Sequence, residues 1–363
     1  MNYFLPLLIF ASLTLACNDD DDTLVTNDDM YFPDARGSSW ETLNPASLGW
    51  DQGDLELFYS YLEDNNTRAF MVLKNGRIVI EKYWGSNLSN TAPFGAETKW
   101  YWASAGKALT ATLVGIAQQE GHLRLDDKSA DYLGDGWTSM SKAREELITI
   151  RHQLSMTTGI NYQVPDPNCT EAVCLTYNSD PGTQWFYHNA PYSLLSEVVG
   201  NATATDYNQY TEQKIGSLIG MNGRWINTNY NNIYWSSARD MARFGLLILN
   251  RGVWNGMPIL SDNNYFEQMV RPSQQLNPSY GYLWWLNGRQ NIILPGMPAS
   301  FDIPLSEHAP SDLFAGIGKN GQFVEVIPSQ QLVVVRMGEA PDGSLVPITF
   351  HDEMWKMLSA IVR

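Results

Sequence analysis

Cysteine and histidine are both scarce in this 363-residue chain, which contains 3 cysteines and 5 histidines. The histidines are scattered, no His-Glu-x-x-His motif occurs, and the thiols have no histidine nearby. Zinc sites usually need three or four such ligands at close spacing. We therefore predict neither a metal site nor a cofactor, and we interpret His152 and His188 as packing or hydrogen-bonding residues.

Basic residues are also few, since 23 Lys and Arg stand against 39 Asp and Glu, giving a formal net charge of −16. Nucleic acids are bound through clustered Lys and Arg, so a nucleic-acid partner is not expected. The acidity is uneven, because residues 1–35 contain seven aspartates and no basic residue. Such a stretch is typical of a solvated, disordered segment.

The apolar run over residues 4–16 is too short and too early for a membrane-spanning helix. It is followed by Cys17, Asn18 and four aspartates. This arrangement resembles a bacterial lipoprotein signal, which implies that Cys17 is lipid-acylated after cleavage. We predict a signal peptide over 1–16, an acidic disordered tether over 17–45 and a lipid-anchored protein of the cell envelope, periplasmic or surface-exposed. A secretory signal without lipidation is the alternative, and it also exports the chain.

The two remaining cysteines, Cys169 and Cys174, are separated by four residues. An even pair of cysteines in an oxidising compartment indicates a local disulfide. The loop it would close is short, so the stabilisation we expect from it is modest.

The periodicity of the chain predicts an α+β domain over residues 46–363. Residues 69–84 alternate around Asn75-Gly76, a strong hairpin signal. Two more strands are predicted at 322–327 and 332–337, and a last helix at about 351–362. Helical patterns such as 238–249 lie between these ends. We expect an antiparallel sheet flanked by helices, with a helical insertion over about 130–300.

Ser104 and Lys107 stand three residues apart at the start of a helical apolar pattern formed by Leu109, Leu113 and Ile116. Residues at this spacing lie one above the other on a helix, so the amine is expected near the hydroxyl. A serine hydroxyl becomes a nucleophile when an adjacent base takes its proton. From these residues alone, an N-capping serine beside a solvated lysine is the alternative interpretation.

Two later motifs favour the catalytic interpretation. Tyr187-His-Asn189 follows the lysine by 80 residues, and a glycine-bearing strand lies at 314–322. The order S-x-x-K, Y-x-N, glycine strand resembles the serine β-lactamase and penicillin-binding superfamily. Within it, the chain is similar to the branch of class C β-lactamases, esterases and 6-aminohexanoate-dimer hydrolases. Connecting segments also resemble that branch, at 121–127, 150–159, 237–245 and 280–285.

The resemblance implies a role for each motif residue. Ser104 would be the acylated nucleophile, and Lys107 and Tyr187 would share its activation and pass its proton to the leaving group. Because a tyrosine at its ordinary pKa is a poor base, a neighbouring ammonium must favour the phenolate or the two groups must form a proton relay. Asn189 would hydrogen-bond the lysine or the acyl side of the substrate.

The resemblance also implies an oxyanion hole made of the backbone N–H groups of Ser104 and Lys319, the residue after Gly318. Donors of this kind contribute roughly 3–4 kcal/mol each in comparable sites. An α/β-hydrolase elbow is not supported, because the segment at 102–106 lacks the first glycine of G-x-S-x-G. The tripeptide at 261–263 spells the Ser-Asp-Asn motif of class A β-lactamases, but it follows Tyr187, and we interpret it as a loop.

The third motif bears on the substrate. In β-lactamases and DD-peptidases it begins with Lys or His, which helps bind a substrate carboxylate, whereas Gly316 stands at that position here. Lys319 could substitute from three residues on. We therefore predict an exported serine hydrolase that cleaves an ester or small amide. Trp100, Trp102 and Phe186 are candidate cleft residues, with packing in the core as the alternative interpretation. A β-lactamase or DD-peptidase, or a non-catalytic ligand-binding lipoprotein of the same fold, are the alternatives.

Overall fold

The computed structural model describes Met1 and residues 30–362. Residues 31–362 lie in one compact unit built around an antiparallel sheet of six strands in the order β2-β1-β13-β12-β11-β8. The strands of this sheet are β1 (Thr67–Lys74), β2 (Arg77–Tyr83), β8 (Trp285–Leu286), β11 (Phe314–Gly318), β12 (Gln322–Ile327) and β13 (Leu332–Gly338). Three small sheets are formed by β3 (Trp100–Tyr101) with β4 (Arg224–Thr228) and β5 (Asn231–Ser236), by β6 (Val253–Trp254) with β7 (Met257–Pro258), and by β9 (Ile292–Ile293) with β10 (Ser300–Phe301).

Twelve α-helices lie within residues 30–362. They are α1 (Gln52–Asp64), α2 (Gly106–Gln119), α3 (Ala130–Leu133), α4 (Lys142–Glu145), α5 (Ile150–Leu154), α6 (Asn189–Ser193), α7 (Leu195–Thr203), α8 (Tyr207–Thr211), α9 (Ser217–Ile219), α10 (Ala238–Leu249), α11 (Asn263–Met269) and α12 (Ile348–Ile361). A π-helical stretch, Glu212–Gly216, joins α8 to α9. None of the helices in this part of the chain combines the length and apolar character needed to cross a bilayer.

The predicted hairpin and strands are confirmed. Asn75 and Gly76 form the turn between β1 and β2, and both have positive φ, at 48° and 78°. A two-residue turn of this kind matches the twist of the strands it joins. The strands β12 and β13 are buried along their whole length, because helices cover both faces of the sheet.

Two consecutive residues of β12 show that helices lie on opposite faces of the sheet. Val324 faces α10, whose Gly245 backbone approaches the sheet so closely that an added Cβ would lie 3.3 Å from it. Its neighbour Glu325 faces the opposite side, where it accepts a hydrogen bond from Trp355 Nε1 of α12 at 3.1 Å. The α+β class and the flanking helices are as predicted, and α12 begins at Ile348, directly after Pro347.

The part of the tether that lies within the described residues packs on the domain. Residues 2–29, which hold most of the predicted signal peptide and the first part of the predicted tether, lie outside the described part of the chain. Residues 31–45 contact the β1–β2 hairpin and α10. Trp40 is buried and donates from Nε1 to Gly76 O at 2.7 Å, and Tyr31 N donates to Asn75 O at 3.0 Å. Arg243 of α10 donates to backbone carbonyls of the same segment, including Asp34 O at 3.1 Å. The acidic composition of this segment did not indicate these contacts. Trp40 makes its contact through its side chain and Tyr31 through its backbone.

Candidate active site

Ser104 lies on a tight 3-10 turn, Ala103–Ala105, between β3 and α2. The turn is held by Trp102, which is fully buried. Its backbone N–H donates to Tyr234 O at 2.8 Å, and its Nε1 donates to Ser236 Oγ at 2.8 Å. Ala103 has φ of 48°, a left-handed conformation that costs an alanine energy and therefore needs such support. The sharp change of direction presents the Ser104 side chain to a cleft.

Lys107 lies one helical turn further on, as predicted. Its Nζ donates to Ser104 Oγ at 3.1 Å, and the side chain is 4% exposed. The ammonium lies 4.0 Å from the ring centroid of Tyr192 and 5.2 Å from that of Tyr187. Burial lowers the pKa of Lys107 to about 7. A lysine with this pKa is substantially neutral at physiological pH and can accept a proton from the adjacent hydroxyl.

Tyr187 is brought to the same place by the segment before α6. Burial raises the pKa of its phenol well above the ordinary value; a hydrogen bond with Ser104 opposes the shift, and nearby Tyr192 adds to it. The ring stacks on Trp285, with centroids 5.8 Å apart, and meets Tyr280 edge to face at 6.1 Å. Of the two possibilities raised by the sequence, this environment favours a proton relay through a neutral phenol over a phenolate base.

The end of β11 approaches the turn Ala103–Ala105, which carries Ser104, so closely that only glycine fits. A Cβ on Gly318 would lie 2.5 Å from Trp102 O and 3.0 Å from the backbone N of Ser104. The absence of a side chain therefore lets the end of β11 lie beside the Ser104 backbone. The predicted oxyanion hole requires these two segments to be close, and the role of the Ser104 and Lys319 N–H groups stays a prediction.

Gly316 is also closely surrounded. A Cβ there would lie 3.0 Å from Ala105 O, 2.9 Å from Val324 Cγ1 and 3.2 Å from Ala108 Cβ. A lysine introduced at this position would push against the backbone of the turn Ala103–Ala105. The carboxylate-binding cation of β-lactamases is thus missing here and cannot be restored by a single substitution at Gly316 without displacing that turn.

Two buried side chains that sequence reasoning missed hold the β11–β12 turn. Arg336 is fully buried and donates from Nη1 to Asn320 O at 2.9 Å and to Gly321 O at 2.8 Å. Burial lowers its pKa to about 9. Gln322 donates from Nε2 to Lys319 O at 3.2 Å and to Gly338 O at 2.7 Å. All but the contact from Gln322 to Lys319 join residues 15 or 16 positions apart, so no local pattern in the sequence indicates them.

Asn189 is the first residue of α6 and lines the cleft. Of its expected partners, Lys107 or the substrate, the lysine is not the one its amide contacts. Its Nδ2 donates to Asn168 Oδ1 at 2.9 Å, and Asn168 belongs to the loop that carries the two remaining cysteines. In the structure Cys169 and Cys174 are joined by a disulfide, with Cα atoms 5.9 Å apart. The cysteine pair therefore borders the cleft.

The cleft at Ser104 has a volume of about 460 Å³. Its walls combine the predicted residues Ser104, Lys107, Phe186, Tyr187, Asn189 and Lys319 with residues that no motif indicated: Tyr162, Pro167, Asn168, Pro295, Gly296, Leu345 and Val346 from loops, and Asn231, Asn232 and Ile233 from β5. Phe186 stacks on Tyr162 at its rim. Trp100 and Trp102 are fully buried, so the core interpretation applies to them and the cleft interpretation to Phe186.

The other sequence candidates lie outside the cleft. The side chain of Asp262, in the Ser-Asp-Asn tripeptide, caps α11 by accepting from Tyr265 N at 2.9 Å. His152 accepts from Thr149 N at 3.1 Å and so caps α5, and burial lowers the pKa of His188 to about 4. No group of three His, Cys, Asp or Glu side chains suited to a metal ion occurs within residues 30–362.

Comparison with known proteins gives a consistent family. The beta-lactamase family model matches residues 64–343. The chain is 26% identical over 159 residues to the "Putative penicillin-binding protein PbpX" of Bacillus subtilis (strain 168), covering 42% of this chain and 39% of that protein. The chain thus spans about two fifths of the length of this curated relative.

Two solved structures share the fold. A "Putative 6-aminohexanoate-dimer hydrolase" from Bacillus anthracis superposes with a TM-score of 0.66 at 19% identity, covering 83% of this chain and 81% of that one. A penicillin binding protein from Bacillus halodurans gives a TM-score of 0.59 at 16% identity, covering 84% and 98%. At these identities the likeness establishes the fold and leaves the substrate open.

Proposed function

Because the chain belongs to the beta-lactamase family, whose members are generally hydrolases, we propose that it is a serine hydrolase cleaving an ester or small amide through an acyl-enzyme on Ser104. The observation that carries this proposal is the hydrogen bond from buried Lys107 Nζ to Ser104 Oγ at 3.1 Å, with the lysine pKa lowered to about 7. A buried, uncompensated lysine is costly to a protein, and its place beside a hydroxyl gives it a chemical use.

In the proposed acylation, Ser104 Oγ attacks the substrate carbonyl carbon while neutral Lys107 Nζ takes the hydroxyl proton. Tyr187 Oη relays a proton to the leaving group, so that the carbon–oxygen or carbon–nitrogen bond breaks as the acyl–Oγ ester forms. The backbone N–H groups of Ser104 and Lys319 stabilise the oxyanion. Water then attacks the acyl-enzyme, and the same groups return the proton to Ser104.

The substrate preference follows from the third motif. Gly316 supplies no cation, and the surrounding backbone leaves little room for one. A carboxylate anchor accelerates only substrates that carry a carboxylate. We therefore expect short-chain esters to be turned over with far higher kcat/KM than penicillins or cephalosporins.

One observation favours the β-lactamase or DD-peptidase alternative. The exposed Lys319 lines the cleft and offers a cation near Ser104. Nitrocefin, p-nitrophenyl acetate and a 6-aminohexanoate dimer, measured side by side, separate the alternatives. Efficient nitrocefin hydrolysis would show that Lys319 or another cation fills the anchoring role.

We further propose that the protein works outside the cytoplasm, held to the membrane by a lipid on Cys17. The disulfide between Cys169 and Cys174 supports an oxidising compartment. Cys17 itself lies outside the described residues. Mass spectrometry of the N-terminal peptide from membranes of expressing cells tests the anchor, because an unmodified Cys17 in the mature protein would contradict it.

A fluorophosphonate probe tests the enzyme against the non-catalytic binder of the same fold. Such probes phosphonylate an activated serine, and intact-mass measurement reports the adduct directly. We expect one adduct on the native protein and none on Ser104→Ala. A native protein that stays unlabelled under conditions that label a control serine hydrolase would favour the binder.

A further inference from the structure

Tyr192 of α6 lies against the amine of Lys107. The centre of its ring is 4.0 Å from Nζ, whereas the ring centre of Tyr187 is 5.2 Å away. The side chain of Tyr192 is buried and forms part of the cleft wall beside Ser104. Of the two aromatic rings that face the amine, the ring of Tyr192 is therefore the nearer.

The ring of Tyr192 is anchored through its hydroxyl. Its Oη lies 3.4 Å from Oγ1 of Thr110, which follows Lys107 by three residues on α2. The same Oγ1 accepts a hydrogen bond from Tyr207 Oη of α8 at 3.0 Å. All three hydroxyls are buried, so the ring is held at a point one helical turn beyond the lysine, with its face toward Nζ.

Lys107 lacks an acidic partner. In the described part of the chain no charged group contributes to its pKa, which burial alone lowers. The described residues that line the cleft include no Asp or Glu, and the other cation among them is the exposed Lys319. The groups that face Nζ are the hydroxyl of Ser104 and the rings of Tyr187 and Tyr192. A buried ammonium without a counter-ion is unfavourable, so these neutral groups must stabilise it.

The proposed acylation creates such an ammonium. When Ser104 Oγ attacks, its proton moves to neutral Lys107 Nζ, and the balancing negative charge develops on the carbonyl oxygen of the substrate. Little water reaches the new ammonium, because the lysine is buried. The negative face of an aromatic ring attracts a cation within about 6 Å of the ring centre, most strongly where water is excluded.

We propose that the ring of Tyr192 stabilises the ammonium that Lys107 becomes during acylation, and that it thereby replaces a carboxylate counter-ion. The inference rests on the proposed function, because Ser104 supplies the proton. It assigns Tyr192 as a positioning residue that acts through Lys107, and Thr110 as the residue that anchors the ring. A residue outside the three sequence motifs thus sets the strength of the base.

Loss of the ring should lower the pKa of Lys107 further. The ring favours the charged lysine, and in a desolvated site this preference corresponds to about one pKa unit. In Tyr192→Leu the midpoint of the pH profile of kcat/KM for p-nitrophenyl acetate should therefore move from about 7 to about 6. The rate above the midpoint should fall about three- to tenfold, because the ammonium is less stable. A midpoint that stays at the native value, or rises, in folded Tyr192→Leu would contradict the inference.

Fluorinated phenylalanines in place of Tyr192 separate the charge distribution of the ring from its packing. Tyr192→Phe keeps the ring, and each fluorine then added to it weakens the negative face with little change of shape. The midpoint should fall stepwise as one, two and three fluorines are added, by about one unit in all. Burial raises the pKa of Tyr192 to about 12, so the native ring is also neutral over the pH range tested. This series decides the question even where Tyr192→Leu fails to fold.

The matched control is the same fluorination at Phe58 of α1. This ring is fully buried and packs against Phe70, with ring centroids 5.2 Å apart. Fluorination there perturbs the core to a similar extent without facing a lysine. The midpoint and the rate should both stay at their native values.

A direct titration of Lys107 keeps this inference separate from the proposed function. In protein labelled with nitrogen-15 lysine, the Nζ resonance that is lost in Lys107→Met reports the pKa of this amine whether or not an ester is hydrolysed. A pKa that falls stepwise along the fluorinated series, together with kcat/KM, supports the inference. An equal pKa throughout the series, or a falling pKa with an unchanged rate, would overturn it. Native turnover no higher than that of Ser104→Ala would instead count against the proposed function.

Discussion

The two walls of the cleft differ in what holds them. In the wall with Ser104, backbone packs on backbone. The end of β11 lies so close to the turn Ala103–Ala105 that no side chain fits at Gly318. The wall with Asn189 is built from side chains of α6, β5 and a loop, and a hydrogen bond joins Asn189 to Asn168 of that loop. Close packing positions the groups that we propose make and break bonds, whereas a hydrogen-bonded loop can change without disturbing them.

The walls also differ in charge and in support from the core. Behind the Ser104 wall, buried Lys107 and Arg336 both have pKa values lowered by burial, to about 7 and about 9. The Asn189 wall is rich in neutral amides, including Asn231 and Asn232 of β5. From this difference we expect changes on the first wall, which carries Ser104, to abolish turnover. Changes on the second wall, which carries Asn189, should alter substrate selectivity.

The largest effect is expected from removing the base on the first wall. Lys107→Ala should lower kcat/KM for p-nitrophenyl acetate by about 10³–10⁴-fold, because the hydroxyl loses its proton acceptor. Circular dichroism should report an unchanged fold. The control is Lys99→Ala, which removes an exposed lysine that contacts Asn222. Turnover by Lys107→Ala within tenfold of the native rate would exclude Lys107 from the mechanism.

The next effect tests the close packing itself. Gly318→Ala adds a single methyl that would lie 2.5 Å from Trp102 O, so the strand end must move away from Ser104. Loss of an oxyanion donor costs about 10²–10³-fold in kcat, and we expect a fall of that size. Gly95→Ala is the matched control, because an added Cβ there meets nothing within 4 Å. Native kcat in Gly318→Ala would show that the wall is not tightly constrained.

A smaller effect is expected from pH. Because the folded pKa of Lys107 is about 7, the neutral form becomes dominant above that pH, and kcat/KM for a neutral ester should rise about tenfold from pH 6 to pH 8. Stability should rise with pH as well. Between pH 7 and about 10.4, the unfolded chain holds a lysine proton that the folded protein has released, so deprotonation favours folding.

Lys107→Met is the control for this linkage. It replaces the buried amine with an apolar side chain of similar length, so its melting temperature should exceed that of the native protein at pH 7. The difference should shrink as the pH approaches 10. A native protein whose melting temperature is flat across this range, or falls in parallel with that of Lys107→Met, would contradict a lowered lysine pKa.

The smallest effect on chemistry is expected on the second wall. Changing both Cys169 and Cys174 to serine should destabilise the protein by about 2 kcal/mol, as for a short disulfide loop. Turnover of p-nitrophenyl acetate should change by less than about threefold, because the disulfide holds the loop carrying Asn168 and does not contact Ser104 or Lys107. Peptide mapping under non-reducing conditions should find the two cysteines joined in the exported protein. A hundredfold loss of simple esterase activity would remove the distinction between the walls.

The parts of the molecule, including the two walls of the cleft, differ in how far the sequence predicted them. The hairpin at Asn75-Gly76, the strands beside it and the Ser104–Lys107 pair all depend on spacings of two to four residues, which a single sequence displays directly. The position of Gly318 came from a resemblance, and the structure supplies its physical reason. Asn168 could not be predicted, because its place in the cleft depends on how a long loop folds back. The packing of Tyr31 and Trp40 on the domain was not predicted, because the aspartates before them indicated a disordered segment.

The most direct measurement is to trap the acyl-enzyme. The native protein is mixed with excess p-nitrophenyl ester of N-acetylglycine, quenched in acid within milliseconds to seconds, digested and analysed by mass spectrometry. We predict that the acylglycyl group is found on the peptide containing Ser104, that Lys107→Ala forms it far more slowly, and that Ser104→Ala never forms it. An acyl group on another residue, or ester turnover that persists in Ser104→Ala, would contradict the assignment of Ser104 as the nucleophile.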